Sequence, residues 1–273
     1  MTFLKKLTSV FMKRAAPIAP IYQDRFGTYI CNVNSEVASI FLNLGLFSAA
    51  PMKDKHCLLW VFVYLQNPRH DGLSASEKAP TLYAIEDRLN AELNQSCNAI
   101  PCGRITTLGR REFYFYASSD AGFTEAANAV FETHPSYEFS MGHQPDPTWN
   151  QYLNVLYPPP DALNLIANWE VLDSLAKSGD IPSISRKVDH FIRLRTRQSV
   201  QACRTSVEAE GFLFDSEREQ GGKLPFTLRI TRHQSIESAQ IDATTRRLRQ
   251  ISALSGGEYD GWGCVATSSE TNS

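Results

Sequence analysis

The chain has 273 residues, of which 42% are hydrophobic and 21% are charged. This composition is typical of a globular protein and excludes an intrinsically disordered chain. The net charge of -2 at pH 7 gives no overall field that favours nucleic acid or an anionic membrane as a partner. At roughly 100 to 200 residues per domain, the length predicts two domains.

The first 20 residues carry apolar side chains at helical spacing, namely Phe3, Leu4, Leu7 and Phe11. They predict a short amphipathic segment that docks on the body of the protein. A peripheral membrane contact or a cleaved leader is the alternative. Charged residues at positions 13 and 14 interrupt the apolar run, which is too short for a membrane span.

Six cysteines are widely spaced, at positions 31, 57, 97, 102, 203 and 264. None forms the CxxC pair that is typical of a zinc site or a thioredoxin-like site. We therefore expect reduced thiols and a cytoplasmic location. The tail, residues 268–273, is expected to be disordered.

The first half shows an alternation of strand and helix patterns. His56 to Gln66 is a continuous apolar run and predicts a central strand. A helix is predicted from Glu77, with an apolar stripe at positions 82, 85, 89 and 93. A hairpin over 103–116, a helix over 123–134 and an extended segment over 136–141 follow.

Three prolines at 158–160 predict a stiff connection and a domain boundary. Beyond them the patterns predict a helix over 163–177, a strand over 183–192, a helix over 198–210, a strand from 212, a strand over 224–233, a helix over 236–254 and a strand over 259–266. Both halves thus read strand, helix, strand, strand, helix, strand. The predicted fold class is α+β, with two ferredoxin-like (βαββαβ) sandwiches over residues 21–157 and 161–267, each with an antiparallel sheet.

No pattern of catalytic residues, metal ligands or cofactor-binding glycines is present. The six histidines stand singly, and the sequence has no HExxH, GxSxG, Walker or GxGxxG motif. The best carboxylate cluster is Glu86 and Asp87, with Asp71 and Glu77 nearby. We expect these to be structural carboxylates. An enzyme activity in the first half, regulated or positioned by the second, is the alternative.

The stretch GGEYDGWG, residues 256–263, contains four glycines, two aromatic residues and two acidic residues in eight positions. Gly256 and Gly257 are expected to end the preceding helix, and two large rings then stand on the last strand. The stretch is interpreted either as a rigid edge of the fold or as a recognition spot. His190, on an alternating strand, is interpreted either as a structural histidine or as a partner contact. The candidate partner-binding residues are Tyr259, Asp260, Trp262 and His190.

RNA binding is a lesser alternative. The strand Phe113 to Tyr116 could offer two rings for base stacking, with arginines at 104, 110 and 111 near the turn. The consensus of the RNA-recognition motif is absent, and the same rings could instead cover the interface between the two halves. RNA is therefore not the expected partner.

Several ordered matches carry a family resemblance in the second half. They are the helix, Gly-Asp turn and strand of LDSLAKSGDIPSISRKVDHFIRL, the pair Gly211-Phe212, and the signature Glu258 to Gly263. This half resembles the ribonuclease E inhibitor B family, usually called RraB. The first half is similar to the domain-of-unknown-function family 695, through Trp60, Asp71-Gly72-Leu73, Glu77, Ile85-Glu86-Asp87, the 103–116 hairpin, and Asp146 to Tyr157.

The resemblance implies a non-catalytic regulator that binds an endoribonuclease of the ribonuclease E type and lowers its activity. The known inhibitor type is strongly acidic, whereas the tail TSSETNS of this chain carries one acid. Electrostatic mimicry of RNA is therefore not the mode of inhibition that this sequence favours.

Overall fold

A computed structural model describes residues 22–33 and 35–268. The predicted N-terminal segment and all but the first residue of the predicted tail lie outside the described residues. Within these ranges ten strands and five α-helices follow in chain order: β1 Phe26–Val33, β2 Glu36–Asn43, β3 Cys57–Tyr64, α1 Ala79–Cys97, β4 Ile100–Thr107, β5 Arg110–Ala117, α2 Phe123–Glu132, β6 Phe139–Pro145, α3 Pro160–Lys177, β7 Arg186–Leu194, α4 Arg197–Ala209, β8 Leu213–Glu219, β9 Phe226–Gln234, α5 Ser238–Leu254 and β10 Gly257–Cys264.

The strands form two antiparallel sheets, which confirms the α+β class. The first sheet has six strands in the order β1-β2-β4-β5-β3-β6, and the second has four in the order β10-β7-β9-β8. The hairpin of β1 and β2 was not predicted. It pairs in unbroken register over eight residues and extends the first sheet beyond β4.

The centre of the first sheet, where β3 and β5 lie, is buried on both faces. Helices α1 and α2 cover one face, where their apolar stripes pack on alternate residues of β3 and β5, among them Val61, Phe113 and Phe115. The opposite face buries Tyr114 and Tyr116 against Trp149 and Tyr152. Since a strand that is covered on both faces needs a continuous apolar run, the aromatic sequence of β5 is explained by its place in the sheet.

The second sheet is covered on one face by α4 and α5. Alternate residues of β7 and β9, such as Ile192, Leu194 and Leu228, point into this core. Helix α3 packs beside α5, and its Val171, Leu172 and Leu175 pack on a buried cluster that includes Trp262. No helix in the described ranges is long and apolar enough to cross a membrane.

A short π-helical segment, Gln151–Leu156, closes the second face of the first sheet. Asp146 anchors it, because its carboxylate accepts hydrogen bonds from the backbone N–H of Asn150 (2.9 Å) and of Gln151 (3.0 Å) and from the Tyr116 hydroxyl (2.6 Å). Burial alone would raise the pKa of Asp146, but these donors lower it overall. The carboxylate therefore satisfies N–H groups that the start of a helix leaves unpaired.

Replacement of Asp146 by alanine should lower the free energy of unfolding by about 3 kcal/mol, since it leaves two backbone N–H groups and the buried Tyr116 O–H without their acceptor. Urea unfolding followed by circular dichroism measures this change. Asp54→Ala, at an exposed position, is the matched control and should change stability by less than about 0.5 kcal/mol. An equal effect of the two substitutions would contradict the anchoring role.

Candidate functional site between α3 and β10

A cavity of about 720 Å³ lies between α3 and β10. Residues from α3 form one wall and residues of the GGEYDGWG stretch form the other, including Leu163, Asn164, Asn168, Val171, Tyr259 and Trp262. A partly apolar concave surface with a few polar groups is the usual form of a binding site.

The wall from β10 has an irregular backbone. Gly256 ends α5 with a φ of +73°, as its sequence position predicts. The same prediction for Gly257 is wrong, because this residue already pairs with Leu194 as the first residue of β10. Tyr259 then pairs with Ile192 and Gly261 pairs with Phe191, so that Asp260 is an extra, unpaired residue in a β-bulge. Gly261 takes a φ of +114°, which a residue with a side chain rarely adopts. The bulge therefore turns the Asp260 side chain out into solvent.

Trp262 holds the two walls together. Its ring is 9% exposed, and its indole Nε1 donates a hydrogen bond to Oδ1 of Asn168 at 2.9 Å. Asn168 is 2% exposed, and its Nδ2 donates to Asp242 Oδ1 and to Thr245 Oγ1, both at 2.8 Å. Because an indole can only donate, the amide oxygen of Asn168 must face it. One amide thus links α3 to both α5 and β10.

His190 lies beneath the cavity and does not line it. The side chain is fully buried, and its Nδ1 is 2.8 Å from the hydroxyl of Tyr259. Its ring meets the ring of Phe212 edge to face. Burial, with a smaller contribution from the charge of Arg232, lowers the pKa of His190 to about 3. The imidazole is therefore neutral near pH 7, and burial raises the pKa of its partner Tyr259.

The four predicted partner-binding residues thus differ in accessibility. Asp260 is exposed and Tyr259 is half-buried at the cavity wall, whereas Trp262 and His190 are buried. A direct partner contact at Asp260 or Tyr259 stays a prediction. For Trp262 and His190, the burial favours the structural interpretation that the sequence left open.

Sequence reasoning missed the wall that α3 supplies. The sequence feature that could have indicated this wall is a pair of asparagines, at positions 164 and 168, one turn apart on an apolar helix. Both side-chain amides donate to Thr245. A second signal is Trp169, which neighbours Asn168 and is 65% exposed. Tryptophan is one of the residue types that contribute most to binding energy at protein interfaces.

The rim of the cavity is acidic. Glu258 and Asp260 are exposed and have no ion-pair partner among the described residues. Glu170 is bound by Arg25 at 2.8 Å, and the guanidinium of Arg249 donates to the backbone carbonyl of Pro160. The lining residues carry three carboxylates against the one guanidinium of Arg249, and this excess of negative charge attracts a cationic group.

A second cavity, of about 520 Å³, lies in the first half between α1 and the β1-β2-β4 end of the sheet. Glu86 and Asp87 line it, and Glu86 forms an ion pair with Arg104. Burial raises the pKa of Glu86, against the lowering effect of Arg104. No histidine lines this cavity.

The predicted carboxylate cluster is not assembled into one site. Asp71 pairs instead with Arg69 at 2.7 Å in a loop, and Glu77 lies in the short 3-10 turn before α1. Within residues 22–33 and 35–268, no three His, Cys, Asp or Glu side chains are grouped so as to hold a metal ion.

The rings considered for RNA stacking are all buried. Phe113 to Tyr116 are each 7% exposed or less. They pack in the two cores of the first half and not at an open face. The interpretation of this strand as a stacking platform is therefore wrong, because bases can stack only on accessible rings.

The buried His190 should make stability depend on pH. Its pKa is about 3 in the folded chain and 6.5 in its ordinary state, so the unfolded chain binds more protons between these values. The contribution of His190 to the free energy of unfolding is therefore fully present above about pH 6.5. It decreases as the pH falls toward 3, and the loss is about 2 kcal/mol at pH 5.

Urea unfolding of the wild type and of His190→Gln at pH 7 and pH 5 measures this effect. The loss of stability between the two pH values should be about 2 kcal/mol smaller in the variant. His233→Gln, on the adjacent strand with an exposed side chain, is the control. If His190→Gln keeps the wild-type dependence on pH, the imidazole is not held neutral.

Comparisons with known proteins match the two halves of the chain to two different family models. Residues 24–157 match the model of a family of unknown function, DUF695, and residues 165–264 match that of the family described as regulator of ribonuclease activity B, RraB. No curated protein matches the chain. A crystal structure of an unknown protein from Galdieria sulphuraria aligns over 76% of this chain and 96% of its own length, at 8% sequence identity. The TM-score of 0.20 is too low to support an inference about the fold. The first half of the chain therefore matches the DUF695 family and the second half matches the RraB family, as the sequence predicts.

Proposed function

We propose that the chain is a non-catalytic regulator that binds an endoribonuclease of the ribonuclease E type and lowers its activity. The RraB match supports a regulatory role at the general level. The observation that carries the proposal is the position of the GGEYDGWG stretch, which the resemblance singles out and which forms one wall of the 720 Å³ cavity. The free thiols of all six cysteines are consistent with a cytoplasmic setting.

The proposal includes two domains, residues 21–157 and 161–267, each built on a ferredoxin-like core. Its support is the order of strands. In the second sheet the four strands lie as β10-β7-β9-β8, and in the first the strands β4-β5-β3-β6 lie in the corresponding order, with β1 and β2 added beyond β4. The boundary at the prolines is supported by the start of α3 at Pro160.

The cavity fits a particular kind of segment. Its walls offer apolar surface from Leu163 and Val171, which would receive an apolar side chain of the partner. The rim offers the carboxylates of Glu258 and Asp260, which would attract lysine or arginine. Surfaces that bind RNA are rich in these basic residues. A partner segment with an apolar anchor and basic flanks therefore suits the site.

The mode of inhibition we propose is local occlusion. A chain with a net charge of -2 cannot imitate the phosphate backbone of RNA over a long stretch. Two carboxylates beside a preformed cavity can, however, cover a few basic side chains of the nuclease. The substrate would then lose those phosphate contacts, and cleavage would slow.

Reversal of one rim charge tests the proposal. Asp260→Arg should raise the dissociation constant for a purified endoribonuclease of the ribonuclease E type at least tenfold, because it places a cation against the basic flank of the partner. Fluorescence anisotropy measures binding, and cleavage of a labelled RNA measures inhibition. Asp87→Arg, an exposed aspartate at the other cavity, is the matched control and should leave both unchanged.

Two results would contradict the proposal. If the wild-type chain neither binds the nuclease nor slows cleavage, the function implied by the family does not apply to this chain. If Asp87→Arg weakens binding and Asp260→Arg does not, the partner binds the first half. Circular dichroism confirms that both variants are folded.

A further inference from the structure

The outer strand of the first sheet, β1, is an unprotected edge. It reads FGTYICNV, eight residues without a charge or a proline. It pairs with β2 in unbroken register, and within the described residues no strand pairs with its other side. A long, regular and uncharged edge strand offers a row of backbone donors and acceptors to a further strand.

The other three sheet edges carry features that oppose such pairing. β8 has a bulge and four charged residues in seven, and β10 has the bulge at Asp260 together with a second acid at Glu258. β6 ends in Pro145, which has no N–H to donate. Charges, bulges and prolines are the usual means by which proteins protect a sheet edge. β1 has none of them.

The side chains of β1 also indicate that this edge is open to pairing with a further strand. Phe26 and Ile30 lie on one face of the strand and are 48% and 68% exposed. Thr28, which lies between them on that face, and Asn32, which follows Ile30, are also exposed. An exposed apolar row on an edge strand is a surface that a neighbouring strand would cover.

We propose that β1 pairs antiparallel with β1 of a second copy of this chain and joins two six-stranded sheets. The absence of charge means that two identical strands meet without like charges opposite each other. In the register that places Tyr29 opposite its own copy, each Ile30 lies beside Thr28 and each Phe26 beside Asn32. This two-fold contact uses the free edge of both copies, so the assembly closes at two chains.

Sedimentation velocity of the full chain over a range of concentrations tests the proposal. The wild type should sediment as a particle of twice the 30.6 kDa of one chain. Ile30→Lys should raise the dissociation constant of the pair at least tenfold, since it sets two cations near each other on the paired strands. Leu213→Lys is the matched control, because Leu213 is also 68% exposed and lies on the edge strand β8.

The control should sediment as the wild type does, and circular dichroism checks the fold of both variants. A wild type that has the mass of a single chain at every concentration overturns the proposal. That result is also expected if a different partner, or a part of the same chain outside the described residues, occupies the edge. A pair that survives Ile30→Lys, or that Leu213→Lys disrupts equally, overturns the assignment to β1.

Discussion

The buried amide of Asn168 is the interaction on which the shape of the candidate site depends. It accepts from the indole of Trp262 and donates to Asp242 and Thr245, so that both its oxygen and its nitrogen are hydrogen-bonded within the protein. A buried polar group costs about 1 to 3 kcal/mol when it is left unpaired. The hydrogen bonds therefore fix one position of α3 over α5 and β10, and with it the width of the cavity.

Helix α3 also connects the two halves of the chain. Ile166 packs in a core of the first half beside Gly27, and Glu170 pairs with Arg25 just before β1. One turn of the helix thus contacts the first half while Asn168 bonds the second. The DUF695 region gives the cavity wall a support that an isolated RraB region would lack, which is a physical reason for the two to occur in one chain.

Much of the fold could be predicted from the sequence because its strands and helices have strong periodicity. The apolar run His56 to Gln66 is β3, Cys57–Tyr64, and the hairpin over 103–116 is β4 and β5. The hairpin of β1 and β2 and the segment Gln151–Leu156 were missed. The latter is held by the Asp146 carboxylate, which bonds Tyr116 from a distant strand. Such tertiary contacts leave no periodic signal.

The candidate site was predictable in part, for a similar reason. The bulge at GGEYDGWG follows from its glycines, but an aromatic ring on an alternating strand is equally suited to a core and to a surface. Trp262 and His190 proved to be buried. The asparagines at 164 and 168 are visible as polar residues on an apolar helix, but the burial of Asn168 could not be predicted, since it depends on which helix packs against it.

The central claim is that a nuclease partner binds between α3 and β10. Hydrogen–deuterium exchange of the full chain, with and without a purified endoribonuclease of the ribonuclease E type, locates the contact directly. We expect the partner to slow exchange in Pro160–Lys177 and Gly257–Cys264 and to leave the exchange rates of α1 and β4 unchanged. Slower exchange confined to α1 and β4, or no change in α3 and β10, would contradict it.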